Sequence, residues 1–115
     1  MEFNIRHKAG VIIFSPNGEI IGNASREFRE VVAEQLTSAP EAPKFLFDFA
    51  AVPMMDSTAL GVLVGIRSTV MPTGGQLALI NPSSKIKTLI TASKLTAVFE
   101  QHSNEDEAIA ALTTG

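Results

Sequence analysis

The sequence contains no cysteine, which removes disulfides, thiolate zinc sites and cysteine nucleophiles together. Histidine is almost as scarce: His7 and His102 stand at opposite ends with no ligand-spaced carboxylates around them, and both read as ordinary surface residues. No cluster of lysine or arginine occurs, and the formal net charge is −3, so the electrostatic footprint of a nucleic-acid binder is missing. No apolar run approaches the ~20 residues that a membrane span requires. The start of the chain, with Glu2, Phe3, Asn4, Ile5 and Arg6 alternating polar and apolar, lacks the basic and apolar stretches of a secretory signal. These absences point to a cytoplasmic chain that takes neither nucleic acid nor membrane as a direct partner.

What is present suffices for a core. Hydrophobic residues make up 45% of the 115 and charged residues 18%, too apolar for disorder and of a size that buries most of its apolar surface in one domain spanning residues 1–115. No repeat, linker or low-complexity tract divides it.

The pattern along the chain alternates between periods of two and of about 3.6 residues. Phe3–Arg6 and Val11–Phe14 read as strands pairing in a hairpin, followed by a turn or bulge at Pro16-Asn17-Gly18 before Glu19-Ile20-Ile21. From Ser25 to Thr37 the apolar residues Phe28, Val31, Val32 and Leu36 recur at helical spacing, with Arg26, Glu27, Glu30 and Glu34 left for solvent. Phe45–Phe49 reads as a strand covered on both faces, as central parallel strands are. Thr58 to Met71 forms the next helix, stopped by Pro72 and Gly74-Gly75, and Gln76–Ile80 the next strand. Asn81 offers a cap and Pro82 a first helical position for a helix burying Ile86, Leu89 and Ile90. A short strand at Val98–Gln101 and a helix from Asn104 to Leu112, with Glu105, Asp106 and Glu107 at its positive end, complete the chain. Five strands and four helices in this order predict an α/β domain with one mixed, mainly parallel sheet.

Catalytic chemistry is hard to find. Gly61-Val62-Leu63-Val64-Gly65 has two glycines but no lysine, so it is no phosphate-cradling loop; the two glycines, one helical turn apart, read as close packing of helix against sheet. Ser57 lies between Asp56 and Thr58 with no Gly-x-Ser-x-Gly elbow, and Asp48 and Asp56 have weak spacing for an acid/base pair. The reading is a binding module, neither an enzyme nor a cofactor carrier.

One segment asks for more than packing. Met54-Met55-Asp56-Ser57-Thr58-Ala59-Leu60-Gly61 lies at the carboxyl end of the central strand and opens a helix, the edge where open α/β sheets place their sites. Asp56, Ser57 or Thr58 could each serve simply as a cap. A helix N-terminus also favours added negative charge, so a phosphate on Ser57 would be tolerated locally while adding about −1.5 to −2 charge beside Asp56. The apolar run from Ala59 to Ile66 either forms a wide buried face or leaves Leu60 and Val64 exposed as a docking patch.

Asp56-Ser57-Thr58-Ala59-Leu60-Gly61 resembles the Asp-Ser-Ser/Thr-Gly-Leu-Gly signature of the anti-sigma-factor antagonists, members of the STAS domain family. Gly18-Glu19-Ile20, Phe45 to Asp48, Asn81-Pro82 and the stretch from Lys94-Leu95 to Phe99 are similar to other family elements, so the likeness covers essentially the whole chain. Ala59 stands where the signature usually has glycine, and Ile21 where many antagonists have aspartate. The resemblance implies partner switching: the unphosphorylated antagonist binds an anti-sigma factor that is also a serine kinase of the histidine-kinase-like ATPase type, and phosphorylation ends the interaction. By position, Ser57 is the implied phosphoacceptor, Asp56 shapes its environment, and Thr58, Ala59, Leu60, Gly61 and Val64 belong to the docking helix; ATP and magnesium would belong to the partner. The chain itself would be a monomer or at most a weak dimer. The same fold also serves as an accessory subunit of membrane transporters, such as lipid-transport ABC complexes, and in stressosome-like scaffolds, neither of which needs phosphorylation.

Overall fold

The computed structural model describes residues 1–114. Five strands form one sheet in sequential order: β1 (Glu2–Lys8), β2 (Val11–Asn17), β3 (Lys44–Asp48), β4 (Gln76–Ile80) and β5 (Glu100–His102). Only β1 and β2 are antiparallel; every later neighbour is parallel. The parallel strands are joined by helices α1 (Asn23–Ser38), α2 (Ser57–Val70) and α3 (Ser84–Ala92), and α4 (Glu105–Thr113) follows β5. The α/β class, the mixed sheet and the element count match the sequence reading.

Strand alternation sorts the core into two layers. Ile12 and Phe14 of β2, Phe45 and Phe47 of β3, and Leu77 and Leu79 of β4 face α1, α2 and α3, meeting Phe28, Val32, Leu63, Ile66, Ile86 and Ile90. Their neighbours Val11, Ile13, Leu46, Ala78 and Ile80 face the opposite way and cluster with Ala108, Ile109 and Leu112 of α4. This division follows from topology: each right-handed crossover between adjacent strands in sequential order returns over the same face. β3 is therefore apolar at consecutive positions, with Phe45, Leu46 and Phe47 all buried. Phe47 is the hinge of an aromatic group, with ring centroids 5.5 Å from Phe14, 5.9 Å from Phe28 and 6.1 Å from both Phe45 and Phe49.

Several boundaries differ from expectation, each for a local reason. β2 runs on to Asn17 because Pro16 still pairs with Phe3 across the edge ladder. The third helix does not start at Asn81-Pro82. Asn81 adopts a positive φ of 56° and donates from Nδ2 to Asp48 Oδ1 at 3.0 Å, while Ser83 caps instead, accepting from Ile86 N at 3.2 Å and donating to the Pro53 carbonyl at 2.7 Å. The last strand lies later than Val98–Gln101, because only Glu100, Gln101 and His102 register against Ala78–Ile80; Phe99 still packs into the core. Gly75 is the glycine the fold requires for close approach, since a Cβ there would collide with the Pro43 carbonyl and lie 2.9 Å from Val70 Cβ. Gly61 and Gly65, by contrast, are exposed and a Cβ on either would meet nothing within 4 Å, so the expected tight helix–sheet packing at these two positions is absent.

Candidate functional site

The site is built where two loops run side by side. After β2 the chain crosses toward α1 through Gly18–Gly22, and after β3 it crosses toward α2 through Phe49–Asp56. Gly18 N donates to Ala51 O at 2.9 Å, Ile20 N to Met54 O at 3.0 Å and Asp56 N to Ile20 O at 3.1 Å, with Ile20 and Met55 paired as a parallel bridge. Ile20 is fully buried and Met55 nearly so, so a short apolar zipper brings the starts of α1 and α2 together.

Asp56 closes that zipper. Its backbone is extended, as an N-cap requires, and Oδ1 accepts from Ala59 N at 3.0 Å at the start of α2. The same carboxylate reaches across to α1: Oδ2 accepts from Gly22 N at 2.9 Å and Oδ1 from Ser25 Oγ at 2.7 Å. Gly22 itself sits at φ 57° and caps α1 with no side chain of its own, a conformation glycine adopts without strain. One negative charge thus sits at the positive ends of two helices. Partial burial pushes the Asp56 carboxyl upward, but the Ser25 hydroxyl and the N–H groups of Ala59, Gly22 and Thr58 outweigh it, and its pKa lies below the ordinary carboxylate value. These hydrogen bonds favour the charged form of the carboxylate.

Ser57 follows at the first position of α2 and is exposed, as is Thr58. Ala59 and Leu60 are buried, at 0% and 3% exposure, and Val64 is half-buried against the core. Of the two readings of the apolar run, burial holds at Leu60, which offers no surface to a partner. Gly61 and Gly65 lie among the exposed residues of α2 and line a groove of about 450 Å³ with Val62, Ile66 and, from α1, Arg29 and Leu36. Beside the zipper, Ile21 is a large apolar side chain left 40% exposed.

The sequence brought Asp56 and Ser57 into view but gave no sign of Ser25 or Gly22. Ser25 is the one buried polar residue of the described core, and its only sequence signal is a hydroxyl on the inward face of α1, three residues before Phe28. Asp48, whose spacing from Asp56 is weak for an acid/base pair, accepts from Asn81 Nδ2 and from Ala50 N. His102 lies 3.0 Å from Glu100 through Nε2, an ordinary surface pair. No helix among the described residues is long and apolar enough to cross a membrane.

A chain of this topology, with a capping aspartate and an exposed hydroxyl opening the second helix, matches the family model of the STAS domain over residues 2–108. The protein belongs to the STAS domain family. Among curated relatives, the "Putative anti-sigma factor antagonist" of Thermotoga maritima is 26% identical over 99 residues, covering 86% of this chain and 87% of its own. Among solved structures, the anti-sigma-factor antagonist domain protein of Planctomyces limnophilus superposes with a TM-score of 0.89 at 17% identity, covering 97% of this chain and 98% of its own. The Bacillus anti-sigma factor antagonist SpoIIAA in its unphosphorylated form superposes with a TM-score of 0.80 at 20% identity, covering 96% and 95%.

Proposed function

We propose that this protein is an anti-sigma-factor antagonist that works by partner switching, with Ser57 as the phosphoacceptor. The unphosphorylated chain binds an anti-sigma factor that is also a serine kinase, and phosphate on Ser57 dissolves the complex. The observation that carries this reading is the placement of Ser57: an exposed hydroxyl at the first turn of α2, directly behind a capping carboxylate. The start of α2 can hold a phosphate without unfolding, because the N–H groups and dipole of a helix N-terminus stabilise negative charge there. The surface seen by a partner changes sharply, because a dianion now stands beside Asp56. Asp56 orients the helix start, Thr58 and Gly61 supply neighbouring surface, and Ala59, Leu60 and Val64 hold α2 on the sheet. The chain contributes no catalysis of its own; ATP and magnesium enter with the kinase.

The test is phosphorylation in a purified system. Anti-sigma kinases of the histidine-kinase-like type from the same organism are incubated with labelled ATP, magnesium and either the wild-type chain or Ser57→Ala. The reading expects label on Ser57, none on Ser57→Ala, and loss of kinase binding once the label is on. Label at another residue, or a complex that persists after Ser57 is phosphorylated, contradicts it.

A further inference from the structure

The bond between Ser25 and Asp56 links the two helix starts, and Ser25 has a second acceptor within reach. Its Oγ lies 2.7 Å from Asp56 Oδ1 and 3.1 Å from the Ile20 carbonyl oxygen. A hydroxyl has one proton to donate. The shorter contact, to a charged oxygen, is the stronger bond, so in the resting chain the proton points at Asp56. Ser25 is only 1% exposed, and a buried donor left without an acceptor is costly. The Ile20 carbonyl removes that cost: if the carboxylate leaves, the hydroxyl turns to the carbonyl without any movement of the backbone. Ser25 therefore keeps an acceptor whether or not the Asp56 carboxylate stays in place.

A phosphate on Ser57 would contend with Asp56 for the same N–H groups. Both sit at the start of α2, where Asp56 now holds Ala59 N, and a phosphate dianion repels the neighbouring carboxylate while competing for its donors. We propose that Ser25 is a positioning residue for the Ser57 switch: it holds the Asp56 carboxylate across the starts of α1 and α2, and turns to the Ile20 carbonyl when phosphate displaces that carboxylate, freeing the Gly22 N–H. This rests on the reading of Ser57 as phosphoacceptor and adds to it a route from α2 to α1. Gly22 is followed by the first turn of α1 and preceded by exposed Ile21, so the phosphate alters surface on both helices rather than at one residue.

The experiment needs no kinase. Phosphoserine is installed at position 57 of the full chain by segment ligation, and the exchange rate of the Gly22 amide and the titration of the Asp56 carboxyl are followed by NMR, with β4 amides as the control for intact folding. Phosphoserine at 57 is expected to speed Gly22 exchange on the order of tenfold or more while β4 stays protected. In unmodified Ser25→Ala, Gly22 is expected to exchange faster than in the wild type and Asp56 to titrate nearer its ordinary value. Gly22 protection unchanged by phosphoserine overturns the proposal, and so does a folded Ser25→Ala whose Asp56 titrates as in the wild type. Kinase binding, measured on the same samples, separates the two claims. Binding lost with Gly22 still protected leaves the switch standing without Ser25, and Gly22 released with binding intact leaves Ser25 in its place and removes the switch.

Discussion

On one face of the sheet three helices bury Phe14, Phe45, Phe47, Leu77 and Leu79; on the other, α4 alone covers Val11, Ile13, Leu46, Ala78 and Ile80. The thick face is aromatic, and its helix starts are tied to the crossing loops by side chains: Asp56 to Gly22 and Ser25, Ser83 to Pro53. The thin face is aliphatic and small, and α4 is tied to β1 by charge, with Arg6 paired to Glu105 and Lys8 lying 3.6 Å from Glu105 and 3.8 Å from Asp106. Hydrogen bonding to Arg6 holds the Glu105 carboxyl below its ordinary value, against slight desolvation. The contrast teaches where function can reside. Three crossovers on one side gather the starts of α1 and α2 around one loop pair, so the same face supplies both the larger core and the charged site, while α4 acts as a cover.

That contrast can be broken in graded steps. Phe47→Ala, which empties the centre of the aromatic group, is expected to cost about 3–5 kcal/mol in denaturant unfolding. Leu112→Ala on the thin face should cost about 2–3 kcal/mol, and a larger loss there than at Phe47 would reverse the ranking of the faces. Asp56→Ala removes a cap shared by two helices and is expected to cost about 1–2 kcal/mol, with a specific pH signature. Because the folded pKa of Asp56 is depressed, its contribution is fully present above the unfolded carboxylate value of about 4 and is lost as pH falls through the folded value. Unfolding measured against pH should therefore show the gap between wild type and Asp56→Ala closing in acid. Glu105→Gln should cost under about 1 kcal/mol and lose that effect in high salt, since Arg6 is 43% and Lys8 53% exposed in these pairs.

The layered fold was readable from the chain because its periodicities are clean: Phe45, Leu46 and Phe47 are consecutive apolar residues, and Phe28, Val32 and Leu36 keep helical spacing. Asp56 and Ser57 were legible because a cap must precede the first helical residue. The helix start at Ser83 was missed because Asn81-Pro82 is an equally good local signal, and only the Pro53 carbonyl, distant in sequence, decides between them. Gly61 and Gly65 misled for a related reason: spacing alone does not say whether a glycine faces the sheet or the solvent. Ser25 was invisible because its value lies wholly in Asp56, 31 positions away.

The most direct measurement of the central claim is the affinity of the purified anti-sigma kinase for the full chain with serine or phosphoserine at position 57, taken beside a thermal melt of each. The account predicts binding weakened by on the order of a hundredfold or more, with both forms melting as folded proteins within a few degrees of each other. Equal affinity for the two forms would contradict it, and loss of binding accompanied by unfolding would show that the phosphate acts on the fold instead of on the surface.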